Sequence, residues 1–221
     1  MIKLNRKINF CIAVDGSSAS GKTSGGKFIG KYFKMNFLSS GTLYRYCALK
    51  ILKNKNKYNK KFINNVAKSL TMKRLDSKKL YDPEITKLSS IIAKKPYIRK
   101  ALKKFQLNFV KNSRLVICEG RDIGTTIIPN ADLKLFFKCS IKEKARRRLK
   151  EFKILDNNIT LKQVEKALRL RDWLDKTRKI SPLIKAKNAI LVNTTNLTLS
   201  QMRLKLIKLV KKEINKKYGN L

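Results

Sequence analysis

Residues 8–23 read INFCIAVDGSSASGKT, and this stretch decides the fold. Residues 8–14 form a short apolar run rich in strand formers, stopped by Asp15 and Gly16, and read as a buried parallel strand. Residues 16–23, GSSASGKT, fit G-x-x-x-x-G-K-[ST] directly after a strand and before a helix, the context in which that pattern carries meaning. Glycines let the backbone turn tightly, so that successive N–H groups converge on an anion, and the helix N-terminus adds the positive end of its dipole. In that setting Lys22 reaches the outer phosphates of a nucleoside triphosphate, and Thr23 offers its hydroxyl to Mg2+.

Outward from this loop, residues 22–33 have helical spacing, with Phe28, Ile29 and Phe33 on one side. RLVIC at residues 114–118, LKLFF at 133–137 and AILV at 189–192 are further buried-strand patterns, separated by helical stretches. Strands alternating with helices imply a parallel sheet covered on both faces. The expected class is therefore α/β: a P-loop fold with a central parallel sheet flanked by helices, carrying two inserted segments. It is read as one domain over residues 1–221, with core segments at about 1–51, 101–141 and 179–221. The first inserted segment, at about 52–100, is polar, Lys/Asn-rich and weakly periodic; the second, at about 142–178, is helical and rich in arginine and lysine. Both suit mobile lobes over a nucleotide site. Residues 199–217 read as an amphipathic helix with Met202, Leu206, Leu209 and Val210 on one face. Packing on the sheet is its ordinary role, and lying on a membrane surface is the alternative.

Composition narrows the chemistry. The chain has 221 residues, 43% hydrophobic, ample for a core. It carries 54 Lys+Arg against 14 Asp+Glu, a net charge of +40. A polyanion partner such as nucleic acid is one reading. The other is codon composition, since Lys, Asn and Ile are all abundant, and the even spread of basic residues, without a tail or an aromatic-interleaved patch, favours it. No specific nucleic-acid partner is expected. Histidine is absent, which excludes every mechanism built on an imidazole base. The cysteines, Cys11, Cys47, Cys118 and Cys139, form no CxxC pair; they read as buried free thiols of a reducing cytoplasm. The start is basic and then apolar, but its apolar run is too short for a signal peptide, and no segment approaches the roughly 18 apolar residues of a membrane span. A soluble, cytoplasmic protein is expected.

Three more motifs stand out. In LSSGTLYR, residues 38–45, Ser39, Ser40 and Gly41 read as a turn, with a helix from about Thr42 that carries Arg45. A turn with hydroxyls and a following arginine suits an acceptor phosphate, which guanidinium pairs bidentately, but it equally suits a helix cap with a solvated arginine. EGRDIGT, residues 119–125, follows the RLVIC strand, so Arg121 and Asp122 fall where open parallel sheets bind ligands; a surface ion pair is the plainer alternative. In RDWLDKTR, residues 171–178, Arg171, Asp175 and Arg178 are spaced by four and three on one helical face. Spacing alone favours a solvated row of salt bridges.

Together, in this order and spacing, the four motifs resemble the bacterial cytidylate kinases of the nucleoside monophosphate kinase family, over about residues 10–207. The resemblance implies a P-loop kinase in which residues of about 52–100 form an acceptor-binding insert and residues of about 142–178 a helical lid, and it implies transfer of the ATP γ-phosphate to CMP or dCMP. It implies that Gly16, Ser17, Ser18, Ala19, Ser20, Gly21, Lys22, Thr23 and Ser24 bind ATP, with Thr23 serving the accompanying Mg2+. Ser40 and Arg45 would hold the CMP phosphate with Arg121, in a CMP site that includes Tyr44. Ser90, Arg99 and Asp122 would read the cytosine edge with help from Arg178, and Arg171 and Asp175 would contact the ribose. Lys22, Arg121 and the lid residues Arg147 and Arg148 would be the catalytic set. The chain departs from the family pattern at Ser39 and Glu119, where Asp is usual, and at Thr23, where the loop usually ends in Gly. The segment at about 70–81 is short for the small sheet usual in the acceptor lobe. ATP and CMP or dCMP are the expected partners of a monomer. Kinases of other small acceptors, a P-loop protein acting on nucleic acid, and a non-catalytic ATP-binding regulator are the competing readings.

Overall fold

The computed structural model describes residues 8–152 and 159–219. The basic start and residues 153–158 of the expected lid lie outside the described residues. The chain forms two compact units. One comprises Met1–Phe37 and Arg114–Leu221, the other Leu38–Ser113. The expected insert at 52–100 lies inside the second unit, which also takes in the segments on either side of it.

The elements run in chain order as β1 (Phe10–Gly16), α1 (Lys22–Tyr32), β2 (Asn36–Ser39), α2 (Ser40–Lys53), α3 (Lys60–Lys68), α4 (Met72–Leu75), a 3-10 turn (Lys78–Tyr81), α5 (Pro83–Ile92) and α6 (Pro96–Lys111). There follow β3 (Leu115–Gly120), a π-helical turn (Ile123–Ile127), β4 (Leu133–Lys138), α7 (Ile141–Phe152), α8 (Leu161–Thr177), β5 (Ile190–Asn193) and α9 (Leu199–Tyr218). The sheet has the order β2-β3-β1-β4-β5. β1 runs parallel to β3, with Ile12 opposite Ile117, and to β4, with Ile12 opposite Leu133; β4 runs parallel to β5. The expected α/β architecture is thus present, with β1 in the middle and its C-terminal end feeding the phosphate loop.

β1 can be central because almost every one of its side chains is buried, as parallel strands covered on both faces require. Phe10, Ile12 and Val14 join Ile117, Leu135, Phe137 and Val192 in one core with Ile29 of α1, Phe33 at its C-cap, and Met202, Leu206, Val210 and Ile214 of α9. The apolar face of α9 therefore packs in the core, which settles its role against a membrane surface. A cap box, in which Thr198 and Gln201 exchange hydrogen bonds, starts it. α1 meets the sheet mainly through glycine rather than through Phe28: a methyl at Gly25 would stand 2.9 Å from the Phe137 ring, and one at Gly26 2.8 Å from Phe37. The helix beyond the loop can therefore lie unusually close to the strands.

α7 and α8 are a helical pair closed by a small apolar cluster of Ala145, Val164 and Leu168. In the second unit α2 packs with α3, α4, α5 and α6, burying Leu43, Cys47, Ile51, Ile63, Val66, Ile92, Ile98 and Leu102. No strand occurs among residues 52–100; α4 and the 3-10 turn occupy the short segment at 70–81. LSSG is not the turn expected from sequence: Leu38 and Ser39 end β2 and Ser40 already begins α2. All four cysteines are free thiols; Cys11, expected to be buried, is half-buried. Among the described residues no helix is long and apolar enough to cross a membrane.

Candidate active site

The phosphate loop turns where its glycines permit. A Cβ at Gly16 would stand 2.5 Å from the Phe137 carbonyl oxygen, and Gly21 holds φ 86° at the N-cap of α1. The Ser17 carbonyl draws the loop together by accepting from Ser20 Oγ at 2.9 Å and from Lys22 Nζ at 3.2 Å. No described side chain caps α1, so its first N–H groups are presented to the loop, as an anion site requires. Lys22 is buried; burial, reinforced by the Arg121 charge, lowers its ammonium from 10.5 to about 7, with Glu119 opposing.

Thr23 Oγ1 donates to Glu119 Oε2 at 2.7 Å. This places a hydroxyl and a carboxylate together at the mouth of the loop, both oxygen ligands of the kind Mg2+ takes beside phosphate. Asp15, just before Gly16, has a different task. Its Oδ1 accepts from the Ile123 N–H at 2.8 Å and its Oδ2 from the Gly124 N–H at 2.7 Å. That fastens the start of the π-helical turn, and with it Arg121 and Asp122, to the base of the phosphate loop. Burial raises the Asp15 carboxyl from 3.8 to about 6 despite those two donors.

Arg121 reaches beyond its own loop to α8. Arg121 Nε donates to Asp175 Oδ2 at 2.7 Å. Arg178 reaches Asp175 at 3.5 Å and Asp122 at 3.9 Å, and its Nε donates to the Ser181 carbonyl at 2.6 Å. Two corrections to the sequence reading follow. Arg178 is the C-cap residue, one past the last helical residue Thr177, rather than part of the helix. And the row is no solvated ladder, since the paired side chains are only 6% to 17% exposed. Burial works to raise the Asp175 carboxyl, but Arg121, Arg178 and Arg171 together hold it below the usual range. For Arg121 the Asp175 charge outweighs burial and raises the guanidinium further.

Arg147 Nε donates to Glu143 Oε1 at 2.8 Å, while its two terminal nitrogens reach Thr194 Oγ1 at 3.2 Å and the Thr194 carbonyl at 2.7 Å. Thr194 Oγ1 in turn donates to the Ser20 carbonyl at 2.9 Å, so Arg147 meets the phosphate loop through Thr194. Arg148 lies on the same helix, half-buried.

In the other unit, Ser40 is the buried first residue of α2. The Arg45 guanidinium stacks over the Tyr81 ring at 4.8 Å, and Arg99 lies over the buried Tyr44 ring at 5.7 Å while donating to the Ala93 carbonyl at 3.1 Å. Ser90 Oγ donates to the Thr86 carbonyl at 3.3 Å. Sequence reasoning missed Tyr81, Thr194, Lys144 and Asp172; the first three lie outside the motifs, and Asp172 lies within RDWLDKTR but off the Arg171–Asp175–Arg178 spacing. Only for Asp172, between Arg171 and Trp173, was there a signal, in its being an acid among bases.

Comparison with known proteins decides the family. The cytidylate kinase family profile matches residues 12–212. The chain belongs to the cytidylate kinase family. It is 34% identical to the cytidylate kinase of Pseudothermotoga lettingae over 203 residues, 87% of this chain and 90% of that one. It is 35% identical to that of Fusobacterium nucleatum over 221 residues, covering 94% and 98%. A gluconokinase from Sinorhizobium meliloti has the same fold at 12% identity, with a TM-score of 0.52 and coverage of 96% of this chain and 98% of that one.

Proposed function

We propose that the protein transfers the γ-phosphate of ATP to CMP or dCMP, giving ADP and CDP or dCDP. The observation that carries this is geometric: Asp15, just before the phosphate loop of Lys22, holds the Ile123 and Gly124 N–H groups, so the Arg121–Asp175–Arg178 cluster suited to an acceptor adjoins the loop suited to the donor phosphates. Family membership supports the choice of acceptor.

Residues 16–24 are proposed to bind ATP through backbone N–H groups. Lys22, and Arg121 beside it, would spread charge in the loose transition state, for which positioning and neutralisation suffice. Bound Mg2+ would neutralise the donor phosphates, and Thr23 and Glu119 are the residues that would hold it. Arg121, Asp122, Arg171, Asp175, Arg178, Ser40, Tyr44, Arg45, Ser90 and Arg99 are proposed to bind CMP. Arg147 and Arg148 would supply positive charge to the transferring phosphate; for Arg147 this means exchanging Thr194 for phosphate oxygens. We read the enzyme as a cytoplasmic monomer, in keeping with its free thiols and family.

The deciding experiment presents a panel of acceptors (CMP, dCMP, UMP, AMP, shikimate) with ATP and Mg2+ and follows ADP release in a coupled assay. CMP and dCMP should be turned over at least about tenfold more efficiently than the others, a margin of about 1.4 kcal/mol. Preference for another acceptor, or ADP release without any acceptor, would overturn the reading.

A further inference from the structure

Asp172 and Lys144 belong to none of the sets above, yet both reach the phosphate loop. Asp172, on α8, accepts from the Ser18 N–H through Oδ1 at 3.2 Å, and its Oδ2 pairs with Lys144 Nζ. Lys144, on α7, is 4% exposed, and its ammonium also reaches Ser17 Oγ at 3.3 Å. Between these contacts, Ala19 takes φ 55° and packs against the Ala145–Val164–Leu168 cluster of the two helices. A left-handed alanine is disfavoured on its own and persists only where its surroundings impose it. The helical pair therefore grips Ser17, Ser18 and Ala19 by a hydroxyl, a backbone N–H and a methyl.

We infer that Asp172 and Lys144 are positioning residues for the ATP phosphates, forming a charge-neutral clamp that fixes the first half of the phosphate loop. The inference rests on the reading of this loop as an ATP site and does not depend on the acceptor. The two charges have unequal consequences. With Lys144 removed, the Asp172 carboxylate is left unpaired beside a triphosphate and repels it. With Asp172 neutralised, the remaining Lys144 charge attracts the phosphates, and only the hold on Ser18 is weakened. Removing both restores neutrality. Two independent roles would make the changes add; a clamp makes them cancel in part.

The test measures binding of ATP alone by titration calorimetry, and separately the KM values for ATP and CMP, in wild type, Lys144→Met, Asp172→Asn and the double variant. Lys144→Met should weaken ATP binding about tenfold or more and Asp172→Asn about threefold, with the double variant close to Asp172→Asn; the CMP KM should stay within about twofold throughout. Lys144→Arg keeps the cation and should lie nearest wild type, which also serves if Lys144→Met does not fold. Additive effects, equal shifts in both KM values, or ATP binding unchanged in folded Lys144→Met would each overturn the inference. Wild type that binds ATP but does not phosphorylate CMP would overturn the acceptor assignment alone.

Discussion

Thr23 Oγ1 and Glu119 Oε2 stand 2.7 Å apart, joining the end of the phosphate loop to the C-terminal end of β3. The pair proposed to hold Mg2+ is drawn from two separate chain segments and is set by the pairing of β1 with β3, where Val14 is opposite Glu119. Mg2+ keeps several waters and takes only one or two protein oxygens, so each of the two counts heavily. Thr23→Val removes the hydroxyl while keeping the shape. It should raise the Mg2+ concentration needed for half-maximal rate by about tenfold, and Glu119→Gln should do likewise. Initial rates at varied Mg2+ and saturating nucleotides check this. Unchanged Mg2+ dependence in both variants would remove the pair from the metal site.

Asp175 holds Arg121 on one side and Arg178 on the other. Asp175→Asn leaves both guanidinium groups buried with less compensation, and breaking such a pair commonly costs about 3–5 kcal/mol when it is fully buried, less here where it is partly exposed. The acceptor side should suffer most, with a CMP KM raised at least about tenfold and an ATP KM changed less than about threefold. Arg121→Lys should not restore what Arg121→Ala loses, because an ammonium cannot reproduce the guanidinium fork. A lysine variant with wild-type kcat/KM for CMP would contradict the role given to Arg121.

The parts of this protein legible in sequence are those whose physics is local. β1 and β3 are almost continuous apolar runs because these central strands are buried on both faces; β4 and β5 are shorter apolar runs of which only alternate residues or a single one are buried, and the loop announces itself by glycine spacing. β2 escaped because it is four residues long, and Ser39 both ends the strand and stands at the N-cap position of the next helix. Spacing put Arg171, Asp175 and Arg178 on one face without revealing what covers it. The cover is Arg121, more than 50 residues earlier in the chain, and contacts at such separation leave no periodic trace. The same holds for Lys144 and Asp172, which meet only because α7 and α8 pair.

Asp15 makes the stability of the fold depend on pH in a direction unusual for a carboxylate. Its folded value, about 6, lies above its ordinary 3.8. Between these values the folded chain binds more protons than the unfolded one, so this group's contribution to stability falls as pH rises from about 4 to about 6 and is constant outside that window. Asp15→Asn cannot ionise and should abolish that part of the slope. Urea midpoints measured at several pH values within the window, for both proteins, give the comparison. Parallel pH profiles would show that Asp15 titrates normally.

Lys22 supplies a prediction about ATP binding itself. Burial holds its ammonium at about 7 in the absence of ligand, so near pH 8 most of the population carries a neutral amine. A triphosphate placed beside it supplies the counter-charge that Glu119 and Asp175 only partly provide, and the amine should then take up a proton. Below about pH 6 the ammonium is already formed and no uptake is expected; above about pH 8 uptake should approach one proton per ATP bound. Calorimetric titrations with ATP in buffers of different ionisation enthalpy report the number of protons exchanged. Lys22→Met should bring the uptake near pH 8 to zero while weakening binding. Uptake that persists in that variant would mean the proton goes elsewhere, and that Lys22 is charged before ATP arrives.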